Sequence, residues 1–264
     1  MGMSRLSLAL FVVSSFVHAQ TLSPEQLKIV SDARSKYYSL ENQGLISFHC
    51  SVDFDLSTLP QQILPDSAID DRKTLKGLVL AIDMNHEGPR VEISNRPSTM
   101  SSQAEQAAHI IQSLVSGFWM TWPTKGLNGP IPPFDKWVTE IQDLPSGYEV
   151  RADSALASGL QSIFLDKDLH VTRILSVGGK VDEHPVYALT ADGLVYSGLD
   201  ATSEDQSGGR TVVHFEIESA LIDGFHLPQK VHMKVNDNLD FQFSMRDCSV
   251  QKGTVIKVSP PNTN

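Results

Sequence analysis

The stretch Thr211–Val235, TVVHFEIESALIDGFHLPQKVHMKV, constrains the fold more than any other. Val213, Phe215 and Ile217 fall on one face of an extended run, with His214, Glu216 and Glu218 on the other. After Asp223-Gly224 the alternation resumes, with Val231, Met233 and Val235 against His232 and Lys234. Period-two alternation interrupted by Asp-Gly predicts a β-hairpin. One apolar and one charged face predict an antiparallel sheet that is covered on one side and wet on the other. Leu227-Pro228 opens the return strand, where a missing N–H is tolerated.

The flanking sequence extends this pattern. Strands are expected at about 134–142, 147–153, 160–166, 169–177, 185–190, 193–199, 211–219, 226–235 and 239–251. Turn residues separate them, including Gly178-Gly179, Asp192-Gly193, Gly208-Gly209 and Asn236-Asp237-Asn238. Consecutive strands with tight turns make a meander. Upstream, Ser23, Pro24 and Gln26 form a capping box that starts a helix, expected to fade at Asn42-Gln43-Gly44. Leu45–Leu56 reads as a strand with Ile46, Phe48, Cys50, Val52 and Phe54 on one face. Residues 57–76 read as a short helical excursion, and 78–83 with 90–94 as a hairpin. Ser101–Trp122 reads as the longest helix, with a wide apolar face that ends in Phe118-Trp119-Met120-Thr121-Trp122. A Gly/Pro-rich connection, Pro123–Pro133, follows. The expected class is α+β, a strongly curved antiparallel sheet wrapped around one long helix and one or two shorter ones.

Residues 1–19 read as a cleavable signal peptide: Arg5, an apolar run Leu6–Val17, then Val17-His18-Ala19 at the cleavage position. The expected division is therefore a leader at 1–19, one α+β domain at 20–256 and a disordered tail at 257–264. A periplasmic or secreted location follows, with no transmembrane segment. Without Arg5 the chain has 20 basic against 31 acidic residues, net −11. An acidic chain with no basic cluster excludes nucleic acid as the expected partner. In an oxidising compartment, two cysteines, Cys50 and Cys248, read as one disulfide; the alternative is a pair of buried thiols. Strict alternation from Met245 puts Cys248 on the wrong face, and a bulge near Arg246-Asp247 would restore it.

Motifs for chemistry are sparse. The sequence contains no G-x-S-x-G, H-E-x-x-H or C-x-x-C. Asp66, Asp70 and Asp71 cluster beside Arg72 and Lys73 and read as a solvated helix face. His214, Glu216 and His232 share the polar face of the hairpin, and a metal-dependent hydrolase built on them is a remote alternative. No catalytic residue, metal or cofactor is expected.

FLDKDLHVTRI at 164–174 and IDGFHLPQKVHMKV at 222–235 resemble the periplasmic lipoprotein-carrier fold, the LolA/LolB-like half-barrel. YYSLENQGLISFHCSVDFD at 37–55, SGFWMTW at 116–122, GFHLPQK at 224–230 and FSMRDCSV at 243–250 look like a group of uncharacterised exported bacterial proteins. The half-barrel resemblance implies an apolar cavity between sheet and helices. The expected function is binding of an apolar or acyl-chain ligand, a lipid or other hydrophobic molecule, lined by Phe118, Trp119, Trp122, Phe215, Ile217, Met233 and Phe243. The alternative is an envelope interaction or structural protein with a filled interior.

Overall fold

The computed structural model describes residues 22–132, 135–153, 160–176, 178, 180–205 and 207–253. The proposed leader and tail lie outside the described residues. The described chain is α+β, with twelve antiparallel strands in one sheet that does not close into a barrel, and three α-helices.

The strands are β1 (Leu45–Phe54), β2 (Leu80–Asn85), β3 (Gly88–Ile93), β4 (Val138–Leu144), β5 (Gly147–Asp153) and β6 (Leu160–Asp166). They continue as β7 (Val171–Ser176), β8 (Val181–Thr190), β9 (Gly193–Glu204), β10 (Arg210–Ile222), β11 (Phe225–Val235) and β12 (Leu239–Lys252). Their order is β3-β2-β1-β12-β11-β10-β9-β8-β7-β6-β5-β4. β4 to β12 form the expected meander, and β1 adds to its last strand. The chain leaves the sheet at one edge, β3, and re-enters at the other, β4, through helix α3 (Ser102–Thr121).

The central hairpin forms as its pattern dictates. Val213 pairs with Val235, and Phe215 with Met233. Asp223 and Gly224 both adopt positive φ, 50° and 85°, the conformation a two-residue hairpin turn needs. Pro228 sits where the β10–β11 register shifts between Glu218 and Ser219, so its missing N–H falls at a bulge.

Cys50 and Cys248 form the disulfide, and a bulge on β12 makes it possible. His49 pairs with Ser249 but Ser51 with Arg246, so Asp247 and Cys248 together face Cys50. Asp247 takes the left-handed conformation, φ 51°, and turns Cys248 back toward β1.

Two helices occupy separate stretches of the sheet. α3 carries Ala107, Ala108, Ile111, Val115, Phe118 and Trp119 into a core shared with β1, β2 and β9 to β12. Its alanines let the helix approach closely and its aromatics fill the space beyond. α1 (Pro24–Ser35) carries Val30 and Ala33 into a second core with β4 to β7. Its capping box is complete: Ser23 Oγ accepts from the Gln26 N–H, and Gln26 Oε1 accepts from the Ser23 N–H. Gln26 Nε2 also donates to the Ile141 carbonyl on edge strand β4, and Gln112 of α3 donates to the Val91 carbonyl on the opposite edge, β3.

α1 is shorter than its pattern suggests. It stops at Ser35 because β9 captures the next residues: Tyr38 N–H donates to Leu194 O, and Leu194 N–H to Lys36 O. A Cβ at Gly193 would lie 2.9 Å from Lys36 O, so only glycine permits this approach. Ile46 departs from its expected inward face and is 47% exposed.

The excursion at 57–76 is held by one side chain. Arg72, on α2 (Ile69–Lys76), donates to the carbonyls of Leu56, Leu64 and Pro65 and to Asp66. Asp71 accepts from Ser101 Oγ, the N-cap of α3. Asp66 and Asp71 are thus structural ties.

Candidate functional site

The inward face of the hairpin meets α3 in a closed aromatic cluster. Phe118 lies edge-on to Phe215, Phe243 and Trp119, with ring centroids 5.6, 5.5 and 5.1 Å away. Trp119 and Trp122 are 5.2 Å apart, and both reach Phe48. The seven residues expected to line a cavity are 0 to 6% exposed, and the five aromatic ones are linked by ring contacts through Phe118 and Trp119. Met120, at the same helix end, points out and is 66% exposed. The turn after α3 is closed by Gly126, where a Cβ would lie 2.4 Å from the Trp122 ring. Lys125 in this turn is buried and pairs with Glu183 of β8 at 3.0 Å. Among the described residues, two buried polar atoms, Trp119 Nε1 and Tyr187 OH, have no hydrogen-bond partner. Burial raises the Tyr187 phenol well above its ordinary pKa. Burial also pushes Tyr37, whose ring meets Tyr187 edge-on at 4.8 Å, up to about 12.

The outward face is charged, and its charges form a row across β9 to β12. His214 Nδ1 lies 2.6 Å from Asp200 Oδ1, and His214 Nε2 lies 3.3 Å from Glu216 Oε1. Glu216 Oε2 lies 3.5 Å from His232 Nδ1, and His232 Nε2 lies 2.7 Å from Asp240 Oδ1. The hydrogen bond to Asp200 holds the His214 pKa above its usual value. The hydrogen bond from His214, and then that from His232, lower that of Glu216. Beyond the row, Arg173 grips Asp182 through two hydrogen bonds, His49 pairs with Asp83, and Arg246 with Asp53. His226, the second residue of β11, pairs with Asp192 and meets Tyr38 edge-on.

A recess of about 240 Å³ opens on this face, lined by Ser197, Glu216, Ile217, Glu218, Lys230, His232 and Gln242. Three irregularities of the strands adjoin it. Gly198 pairs with Glu216 and contributes no side chain; a Cβ there would meet Phe215 O at 2.7 Å. Ser197 is the extra residue of a bulge between β8 and β9, and Gln229 that of the bulge between β10 and β11. Bulges re-aim side chains in this way. Alternation alone had marked His214, Glu216 and His232 as neighbours. It could not reveal the recess, which depends on register.

Among the described residues, no group of three or more His, Cys, Asp or Glu side chains is arranged to hold a metal ion. His214 and His232 approach opposite oxygens of Glu216 instead of a common point. No helix of the described residues is long and apolar enough to cross a membrane. No protein-family model matches the chain, and no curated protein or solved structure matches it.

Proposed function

We propose that the chain is an exported interaction protein of the cell envelope or its exterior, with a filled interior and the charged outer face of its sheet as the working surface. The observation that supports this most is the packing of Phe118, Trp119, Trp122, Phe215, Ile217, Met233 and Phe243, each at most 6% exposed. Side chains that meet edge-on at 5 to 6 Å leave one another little room for an acyl chain. The charged face offers ordered polar groups and a recess instead. Export rests on the Cys50–Cys248 disulfide, which needs an oxidising compartment to persist, together with the leader pattern at 1–19.

The second reading is a strongly curved, LolA/LolB-like half-barrel that takes an apolar or acyl-chain ligand when α3 shifts. Two buried orphan donors, Trp119 Nε1 and Tyr187 OH, favour it, because such groups in a native interior call for a partner.

Native mass spectrometry of the mature, oxidised protein, with a fluorescent fatty-acid titration, separates the two. The filled interior predicts the bare chain mass and no saturable probe uptake. A co-purifying acyl species, or saturable uptake lost in Phe118→Trp, would establish the second reading.

A further inference from the structure

The β10–β11 hairpin outgrows the sheet that carries it. β9 pairs with β10 only as far as Gly198 and Glu216, and β12 pairs with β11 only as far as Ser244 and Lys230. β10 and β11 stay paired with each other to Ile222 and Phe225. Residues 219–229 are therefore laddered only to each other, while the base of the hairpin has a strand on either side.

The break falls at a bulge. The register shifts between Glu218–Lys230 and Ser219–Pro228, Gln229 is the extra residue, and Pro228 has no N–H to give. A bulge bends the strands that contain it. Beyond the bend, the tip lays Phe225 and Leu227 on the end of the α3 core, 2% and 1% exposed, and leaves Leu221 62% exposed on its back. Side chains fasten it there. Tyr38 OH accepts from the His226 N–H at 3.2 Å, His226 Nε2 lies 2.9 Å from Asp192 Oδ2, and Lys252 Nζ lies 5.1 Å from the centre of the Phe225 ring.

The outer recess lies behind the bend. Glu216, Ile217, Glu218, Lys230 and His232 of the hairpin line it, with Ser197 and Gln242 from the two strands whose ladders stop there. Close-packed groups move only where there is space. A tip swinging away from Tyr38 moves toward this side, and about 240 Å³ is free beside Glu218 and Lys230 at the pivot.

We propose that residues 219–229 form a flap, hinged at the bulge, that opens away from Tyr38 without unfolding the strands below it. Opening uncovers Phe225 and Leu227 and gives the charged face an apolar element that is hidden at rest. Partial openings of this kind cost less than global unfolding.

The test is thiol trapping on the disulfide-bonded protein. Cys50 and Cys248 are bonded to each other, so a single introduced cysteine reports alone. Leu227→Cys places the reporter under the flap, and Val231→Cys places it on the same strand below the hinge, at a position 0% exposed. Iodoacetamide labelling is followed by mass spectrometry, and urea unfolding corrects each variant for its own global stability. Leu227→Cys should label at least about tenfold faster than Val231→Cys. Asp192→Asn, at an exposed position, and Tyr38→Phe, which keeps the ring, should each speed labelling of Leu227→Cys several-fold and leave Val231→Cys unchanged. Should Leu227→Cys fail to fold, Phe225→Cys takes its place. Equal corrected rates at the two positions, or fastening variants that speed both alike, overturn the flap. The filled interior is decided separately, by the fatty-acid titration of the unaltered chain.

Discussion

The two cores are built by different means. The α3 core has an aromatic centre around Phe118 and Trp119 and is bounded by the disulfide across β1 and β12. The α1 core is mostly aliphatic, around Ile141, Val150, Ile163 and Ile174, and its helix inserts only Val30 and Ala33. Hydrogen bonds supply what apolar area does not. Arg34 donates to Pro132 O, Tyr37 OH accepts from Val171 N–H, and Gln26 donates to Ile141 O. Lys125 at the end of α3 and Glu183 on β8 join the two regions. The difference teaches that one sheet can contain a covalently closed half and a half that depends on a docked helix.

The comparison can be broken or sharpened by measurement. Replacing both cysteines by serine removes a cross-link spanning 198 residues, a loss of up to about 5 kcal/mol in the chain-entropy model. Urea unfolding gives that loss, and hydrogen exchange should show it concentrated in β1, β12 and α3. Equal loss of protection in β4 to β7 would make the two halves a single cooperative unit. Phe118→Ala empties the centre of the α3 core at a cost of about 3–5 kcal/mol. Val30→Ala in the α1 core should cost only roughly 1–2 kcal/mol, and comparable losses would contradict the contrast. Ser23→Ala removes one half of the capping box, at about 1 kcal/mol, and should loosen β4 to β7 while leaving the α3 core protected.

The smallest effect is electrostatic. The folded pKa of His214 is raised, so its contribution is full below the ordinary histidine value of about 6.5. It fades as pH rises through the folded value. Thermal scans from about pH 6 to 8 should show a slight fall in stability that His214→Gln removes.

Much of this arrangement was legible in the sequence. The central hairpin announces itself because alternation and Asp223-Gly224 agree, and β5 and β6 fall on their expected residues. The stop of α1 was not legible. Tyr37 and Tyr38 continue a helical spacing, but β9 claims their backbone from more than 150 residues away. The disulfide needs a bulge near Arg246-Asp247, the place alternation itself demanded, and the β1–β12 register supplies it there. The outer recess was not legible: Ser197 and Gln229 are unremarkable until pairing makes each an extra residue.

The two glutamine contacts at the sheet margins have a consequence for the chain in company with its own copies. Edge strands offer unpaired backbone groups to any passing strand. Here Gln112 occupies a carbonyl of β3, and Gln26 one of β4. Pro89, Arg90 and Glu92 make β3 a poor template by themselves. The β4 margin depends more on α1, whose undocking uncovers it. A docked α1 therefore also guards against polymerisation: it covers the margin where a thirteenth strand, from another molecule, would attach.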